Sequence, residues 1–200
     1  MSKVIVFLNL TLDGVMQGPG RPDEDTRGGF EYSGWATPYS DPSIGRSVGE
    51  SMATTGGLLF GRWTYEDFYK VWPNRTDGNP FTEVLNNTRK YVASTKLEEP
   101  LPWMNSTLLN GDVPKAVAKL KKQQEKDFVI LGSGKLVQSL MKENLIDRYL
   151  LLIHPLVLGT GKRLFPNGDM TALKLVNTET TGKGVIIVTY EPAKPVKRAG

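Results

Sequence analysis

Apolar positions along this chain follow two alternating periods. Val4 to Leu10 is a compact apolar run broken by Asn9 and closed by Thr11 and Asp13, so Lys3 to Leu10 is predicted as a buried strand. Similar short runs predict strands at Gly57 to Phe60, Lys90 to Ala93, Ser106 to Leu109, Asp127 to Leu131, Ile146 to Ile153, Leu173 to Glu179 and Val185 to Tyr190. Between them the period lengthens. Val113, Val117 and Leu120 fall at helical spacing within Val113 to Gln124. Ile44 to Thr54 reads as a helix with Asp41 or Ser43 as its cap and Gly56-Gly57 as its stop. Thr64 to Val71, Phe81 to Leu85 and Gly134 to Glu143 complete the helical segments, and Trp72-Pro73 interrupts the first of these.

Strand and helix alternate for most of the chain, and consecutive strands follow. That order predicts an α/β fold in three layers, with a mixed, mainly parallel sheet and antiparallel C-terminal edge strands. The stretch from Asp13 to about Pro42 has no clear period, and loops of that length in compact domains are often functional. One domain over 1–191 and a flexible tail over 192–200 are expected, because 200 residues with 39% apolar content can bury one substantial core.

Composition removes whole classes of chemistry. The chain has no cysteine and one histidine, His154, so a disulfide framework, a thiolate zinc site, a cysteine nucleophile and a histidine-rich metal centre are excluded; no metal site is expected. No apolar stretch reaches membrane-spanning length, and Asn9, Thr11 and Asp13 interrupt the N-terminal run too early for a signal peptide. A soluble cytoplasmic protein without a membrane partner is expected. The net charge is +4, but Lys194, Lys197 and Arg198 lie in the tail, and only "KLKKQQEK" (119–126) concentrates basic residues elsewhere. That segment reads as the wet end of an amphipathic helix, so no nucleic-acid partner is expected.

Three strand ends carry phosphate-compatible groups. In "VILGSGKLVQSLM" (129–141) a buried strand runs into Gly132-Ser133-Gly134 and a helix opens at once. Glycines there let a phosphate approach the backbone, a helix N-terminus offers free N–H groups, and Lys135 adds charge. Taken alone, the segment is equally a tight strand-to-helix turn. It is neither a Rossmann fingerprint, since position 137 is valine, nor a P-loop. In "LLFGRWTYEDF" (58–68) Gly61 permits close approach, Arg62 offers a fork for phosphate oxygens, and Thr64 can cap the next helix or donate to a phosphate. "YVAST" places Ser94 and Thr95 at the same carboxyl edge, where ligands of open α/β sheets sit.

These stretches resemble, in order, the landmarks of the dihydrofolate reductase-like reductases, especially the reductase domain of bacterial riboflavin biosynthesis. "NLTLDGVM" follows the first strand, "FGRWTYE" the second, "VAST" ends the third, and "ILGSGKLVQSLM" forms the glycine turn and helix; "HPLVLGTGKRLF" (154–165) is similar to the riboflavin branch. The likeness covers Lys3 to about Glu191. It implies NADPH-dependent hydride transfer to a small heterocyclic substrate, with a phosphoribosylated pyrimidine, 5-amino-6-(5-phosphoribosylamino)uracil, as the leading class and a pterin as the second. By matching positions it implies that Gly61, Arg62 and Thr64 meet cofactor phosphates, with Ser94, Thr95 and Lys96 near the 2′-phosphate. Gly132, Ser133, Gly134, Lys135 and Leu136 would embrace the pyrophosphate, and Asn9, Thr11, Asp13, Gly14 and Met16 would lie along the nicotinamide.

The substrate side is less marked. Asp41 and Glu50 are the candidate catalytic carboxylates, although Asp41 is also a good helix cap. His154 reads as a strand-end residue. Trp35 and Tyr39, in the long polar loop, are candidates for a lid, while "EDTRGG" (24–29) reads as solvated loop. The apolar "YLLLIHPLVL" (149–158) is expected at a sheet edge that needs covering, which predicts a homodimer. A nucleotide-binding module without turnover and a non-enzymatic scaffold are the rival classes. The absence of H-x-E and C-x-x-C elements excludes a bifunctional enzyme with a deaminase half.

Overall fold

Among the described residues of the computed structural model (1–165 and 170–193, without the side chains of Glu50, Ser51 and Ala53), eight strands form one sheet. They are β1 (Val4–Thr11), β2 (Thr55–Gly61), β3 (Lys90–Ala93), β4 (Ser106–Leu109), β5 (Asp127–Leu131), β6 (Arg148–His154), β7 (Leu173–Thr180) and β8 (Ile186–Pro192). Their spatial order is β4-β3-β2-β5-β1-β6-β8-β7. Every pairing from β4 to β6 is parallel, and β6–β8 and β8–β7 are antiparallel. The helices are α1 (Pro42–Ala53), α2 (Arg62–Val71), α3 (Pro80–Asn87), α4 (Val113–Gln123) and α5 (Gly134–Lys142).

Side-chain alternation divides β1 between two cores. Val4, Val6, Leu8 and Leu10 pack with Val117 of α4 and with Leu136, Val137 and Leu140 of α5. Ile5, on the other face, joins Leu58, Phe60, Val129 and Leu131 with Met52 of α1, Tyr65 of α2 and Leu85 of α3. The central strands are therefore apolar on both faces, as a sheet covered by helices on both sides requires. The result is a three-layer α/β/α arrangement around a mixed, mainly parallel sheet. Among the described residues no helix is long and apolar enough to cross a membrane.

Three expectations are corrected. The apolar 149–158 segment is not an edge: β6 is hydrogen-bonded to β1 on one side and β8 on the other, and the edges are β4 and β7. The chain stays ordered past 191, since Pro192 belongs to β8 and the Ala193 N–H donates to the Ala172 carbonyl; the rest of the predicted tail, 194–200, lies outside the described residues. Helix α2 starts at Arg62 with Gly61 as its cap residue, so Thr64 stands inside the first turn and does not cap it.

Candidate active site

β2 and β5 are neighbours, yet the helices that follow them cover opposite faces, α2 with one core and α5 with the other. At such a switch point the two strand-to-helix turns diverge and leave a crevice at the carboxyl edge. The crevice here has a volume of about 1180 Å³ and is lined by residues 61–64 and 131–136, among others. That exceeds the roughly 300–1,000 Å³ of a single drug-sized ligand and leaves room for a dinucleotide beside a second molecule.

The two turns are stapled to each other. The Ser133 N–H donates to Thr64 Oγ1 at 3.1 Å, and the Gly61 N–H donates to Ser133 Oγ at 2.9 Å. Ser133 Oγ also donates to the Leu131 carbonyl at 3.2 Å, so this hydroxyl braces the turn and does not cap its own helix. Among the described residues the Gly134 and Lys135 N–H groups find no acceptor. They are orphan donors at the positive end of α5, beside the start of α2. Gly132, at φ +60°, sits so close that a Cβ would lie 3.1 Å from Thr64 Cγ2, and a Cβ on Gly134 would collide with the Met16 thioether. The cradle fits a bulky anion held by backbone and closed by Met16.

Trp63, half exposed, has two guanidinium groups over its ring, with Arg62 Cζ 4.1 Å and Arg27 Cζ 4.3 Å from its centroid. Arg62 also reaches Glu66, one helical turn on, at 3.3 Å. Arg27 comes from the long loop, which straps the cleft from β1 to α2. Arg21 pairs with Asp67 of α2 at 2.6 Å, and Glu24 accepts from the Gly20 and Arg21 N–H groups. Burial pushes the Glu24 carboxyl up despite those two bonds. Asp25 anchors the strap. Burial raises its carboxyl, but hydrogen bonds from Arg27 and from Lys162 (3.0 Å) outweigh that and hold it at about 2. The "EDTRGG" segment is thus bonded structure and not the solvated loop its polarity suggested.

Twelve of the predicted cofactor residues line the cleft: Asn9, Met16, Gly61, Arg62, Thr64, Ser94, Thr95, Gly132, Ser133, Gly134, Lys135 and Leu136. Ser94 is mostly a turn residue, its Oγ accepting from the Lys96 and Leu97 N–H groups. Thr11, Asp13 and Gly14 are not brought to the cleft. Asp13 turns away and accepts from Thr11 Oγ1 (2.6 Å), the Leu158 and Gly159 N–H groups and Arg163 (3.2 Å), while Gly14 accepts from the Leu164 N–H. Burial raises the Asp13 carboxyl, and these bonds outweigh it and bring it to about 2. Its chemistry is that of a loop fastener.

On the substrate side, Asp41 also lies outside the cleft lining. It caps α1, accepting from the Ser43 N–H at 3.0 Å and the Ser43 hydroxyl at 2.6 Å, and these bonds hold its carboxyl below the usual range. Glu50 falls on α1, and its side chain lies outside the described residues. Trp35 is not a lid face: it is buried with Val15 and Phe30, and its indole donates to the Gln17 carbonyl at 2.7 Å. His154 is buried edge-on against Trp35 and Tyr39, with Nε2 2.9 Å from Asn9 Oδ1. Burial pushes its imidazole down to about 4. Pattern reasoning missed the strap contacts and the Asn9–His154 pair; the Gly-Pro-Gly-Arg-Pro run (18–22) after β1 is the only local signal for the strap.

Known proteins share this chain's sequence pattern and fold. A family model described as the RibD C-terminal domain matches residues 2–187. The uncharacterized protein YyaP of Bacillus subtilis is 30% identical over 193 residues, 94% of each chain. A putative riboflavin biosynthesis protein from Shewanella sp. PV-4 superposes with a TM-score of 0.68 at 22% identity, over 96% of this chain and 99% of that one. Dihydrofolate reductase from Enterococcus faecalis, solved with NADP(H), superposes at 0.58 and 15% identity over 96% and 97%, a likeness of fold. With its strand order, its stapled glycine turn and a family match over nearly its whole length, this chain belongs to the RibD C-terminal domain family.

Proposed function

We propose that this protein is an NADPH-dependent reductase that delivers hydride to a small planar heterocycle, a phosphoribosylated aminopyrimidine of the 5-amino-6-(5-phosphoribosylamino)uracil class. The observation that carries the reading is that, among the described residues, the Gly134 and Lys135 N–H groups are unbonded and line the same cleft as Arg62 at the start of α2. Bound there, NADPH supplies the hydride from C4 of its dihydronicotinamide ring. The residues do the rest. The turn at 132–135 takes the pyrophosphate, and Arg62 with Thr95 and Lys96 takes the 2′-phosphate. Met16 and Asn9 flank the position of the nicotinamide, and half-buried Phe7 floors the space beside it. Rate enhancement then comes from orientation and water exclusion, with the strap at 18–27 closing one wall.

The family match and the Shewanella likeness favour a pyrimidine over a pterin. A pterin site needs a free carboxylate for the ring's amino and N–H groups, and a missing partner costs about 1–3 kcal/mol or more in a desolvated pocket. Among the described residues Asp41 is outside the cleft, and of the carboxylates that line it Glu24 and Asp25 are bonded to arginine, lysine or backbone N–H groups. Asp67, whose Oδ1 is held by Arg21, has only its Oδ2 left, buried and unpartnered among the described residues, and not the two oxygens that an amino group and a ring N–H would take. The test is NADPH oxidation followed by absorbance against a panel of aminopyrimidine nucleotides, with dihydrofolate alongside. Turnover of an aminopyrimidine and a dihydrofolate efficiency well below about 10⁵ M⁻¹s⁻¹ are expected. Efficient dihydrofolate turnover with inert pyrimidines would replace this reading with the pterin one.

A further inference from the structure

Asn9 and His154 carry an assignment of hydrogen-bonding polarity. They lie on adjacent strands, β1 and β6, and on the same face, since Thr11 pairs with His154 and Asn9 with Leu152. His154 is 1% exposed, and among the described residues its ring makes one hydrogen bond, which joins Nε2 to Asn9 Oδ1 at 2.9 Å. Nδ1 is buried and has no partner among the described residues. Trp35 and Tyr39 meet the ring edge-on, at 5.1 and 5.4 Å between centroids.

These facts select one tautomer. If Nδ1 carried the proton, a buried N–H donor would be left without an acceptor, and an orphan N–H is less tolerated than an idle lone pair. The proton therefore sits on Nε2 and is donated to Asn9 Oδ1. The depressed imidazole, at about 4, agrees with a ring that stays neutral at pH 7. With its oxygen occupied, Asn9 cannot rotate its amide by half a turn without facing Nε2–H with its own NH₂. Its two amide N–H donors then face the cleft it lines, and among the described residues Asn9 Nδ2 donates to nothing in the protein.

We infer that His154 is a positioning residue that fixes the Asn9 amide as a hydrogen-bond donor into the cleft, there to recognise a carbonyl oxygen of a bound ring. The inference rests on the reading of the cleft as a reductase site. Two carbonyls fit the chemistry, the carboxamide of nicotinamide and a ring carbonyl of a uracil-type substrate. Without His154 the Asn9 amide is free to present its oxygen instead, which repels either carbonyl.

Because the chain has one histidine, its ring nitrogens can be read without assignment. In ¹⁵N-labelled protein at pH 7, ring correlations should show the neutral Nε2–H tautomer; the Nδ1–H tautomer or an imidazolium overturns the inference. This readout needs no ligand, so it stands apart from any failure of the reductase reading, which would appear as wild-type protein that ignores NADPH. His154→Gln keeps a donor near Nε2 and serves as the rescue, while His154→Leu removes it. Fluorescence titration of NADPH and its thionicotinamide analogue separates the sources, because sulfur is the poorer acceptor. If the carboxamide is recognised, His154→Leu weakens NADPH by about tenfold, the scale of one neutral hydrogen bond, with little effect on the analogue and recovery in His154→Gln. If the ring carbonyl is recognised, NADPH is unaffected, and 5,6-diaminouracil binding to the NADPH-saturated protein falls by a similar factor. No change in either titration for folded His154→Leu overturns the inference.

Discussion

His154 and Asp13 show how one residue's surroundings set its work. The ordinary imidazole value of 6.5 falls to about 4 here because burial disfavours the charged ring. A histidine depressed in the folded state stabilises the fold fully above its unfolded value, and that stability is lost as pH falls from 6.5 toward 4. The loss over this window should reach roughly 2–3 kcal/mol. Asp13 and Asp25, held at about 2 against 3.8, contribute in the same direction but only below pH 4. Urea denaturation at pH 7, 5.5 and 4.2 should therefore show a decline that His154→Gln flattens; an equal decline in the variant would place its origin elsewhere. Neither behaviour was legible in the sequence. His154 beside Pro155 looks like a strand end, and Asp13-Gly14 looks like a cofactor turn, because nothing local announces that Leu158, Gly159 and Arg163, about 150 residues away, take up the carboxylate.

At the scale of elements, the sequence was most readable where periodicity and turn chemistry agreed. β3, β4 and β5 lie where their apolar runs predicted, and α5 opens at Gly134, where a glycine turn precedes a helical stripe. What periodicity could not supply was neighbourhood. The run around 149–158 is equally apolar whether β6 lies at an edge or between two strands, and only the insertion of β8 beside it decides. The strap was opaque for a similar reason, since its order comes from side chains that meet α2 and residue 162 across the cleft. The stapled turn offers a direct test. Gly132→Ala forces a left-handed conformation at φ +60° and puts a methyl 3.1 Å from Thr64, whereas Gly111, at φ +81°, has open space around it. Each alanine should cost about 1–2 kcal/mol for the backbone alone. Only Gly132→Ala should also weaken NADPH binding, because Thr64 must move away from the Ser133 N–H. Equal loss of affinity in both variants would show that the effect is global.

At the scale of the whole molecule, one group of exposed apolar side chains among the described residues lies at the β7 edge of the sheet. Leu175 is 50% exposed and Val176 48%, and Ile186 of the adjacent β8 is 40% exposed. An edge strand with such residues is a ready template for another copy. We therefore expect a homodimer, for a different reason than the sequence suggested: light scattering at micromolar concentration should give twice the chain mass, and Leu175→Glu should give one. A monomeric wild-type chain would refute this. The central claim concerns the cleft, and calorimetric titration of NADPH and NADH into wild type and Arg62→Ala tests it most directly. One NADPH per chain should bind at least about tenfold more tightly than NADH, because the 2′-phosphate adds a charge-assisted contact. Arg62→Ala should remove roughly 1.5–3 kcal/mol of NADPH affinity and leave NADH nearly unchanged. Equal affinities for the two nucleotides, or no binding of either, would contradict the account.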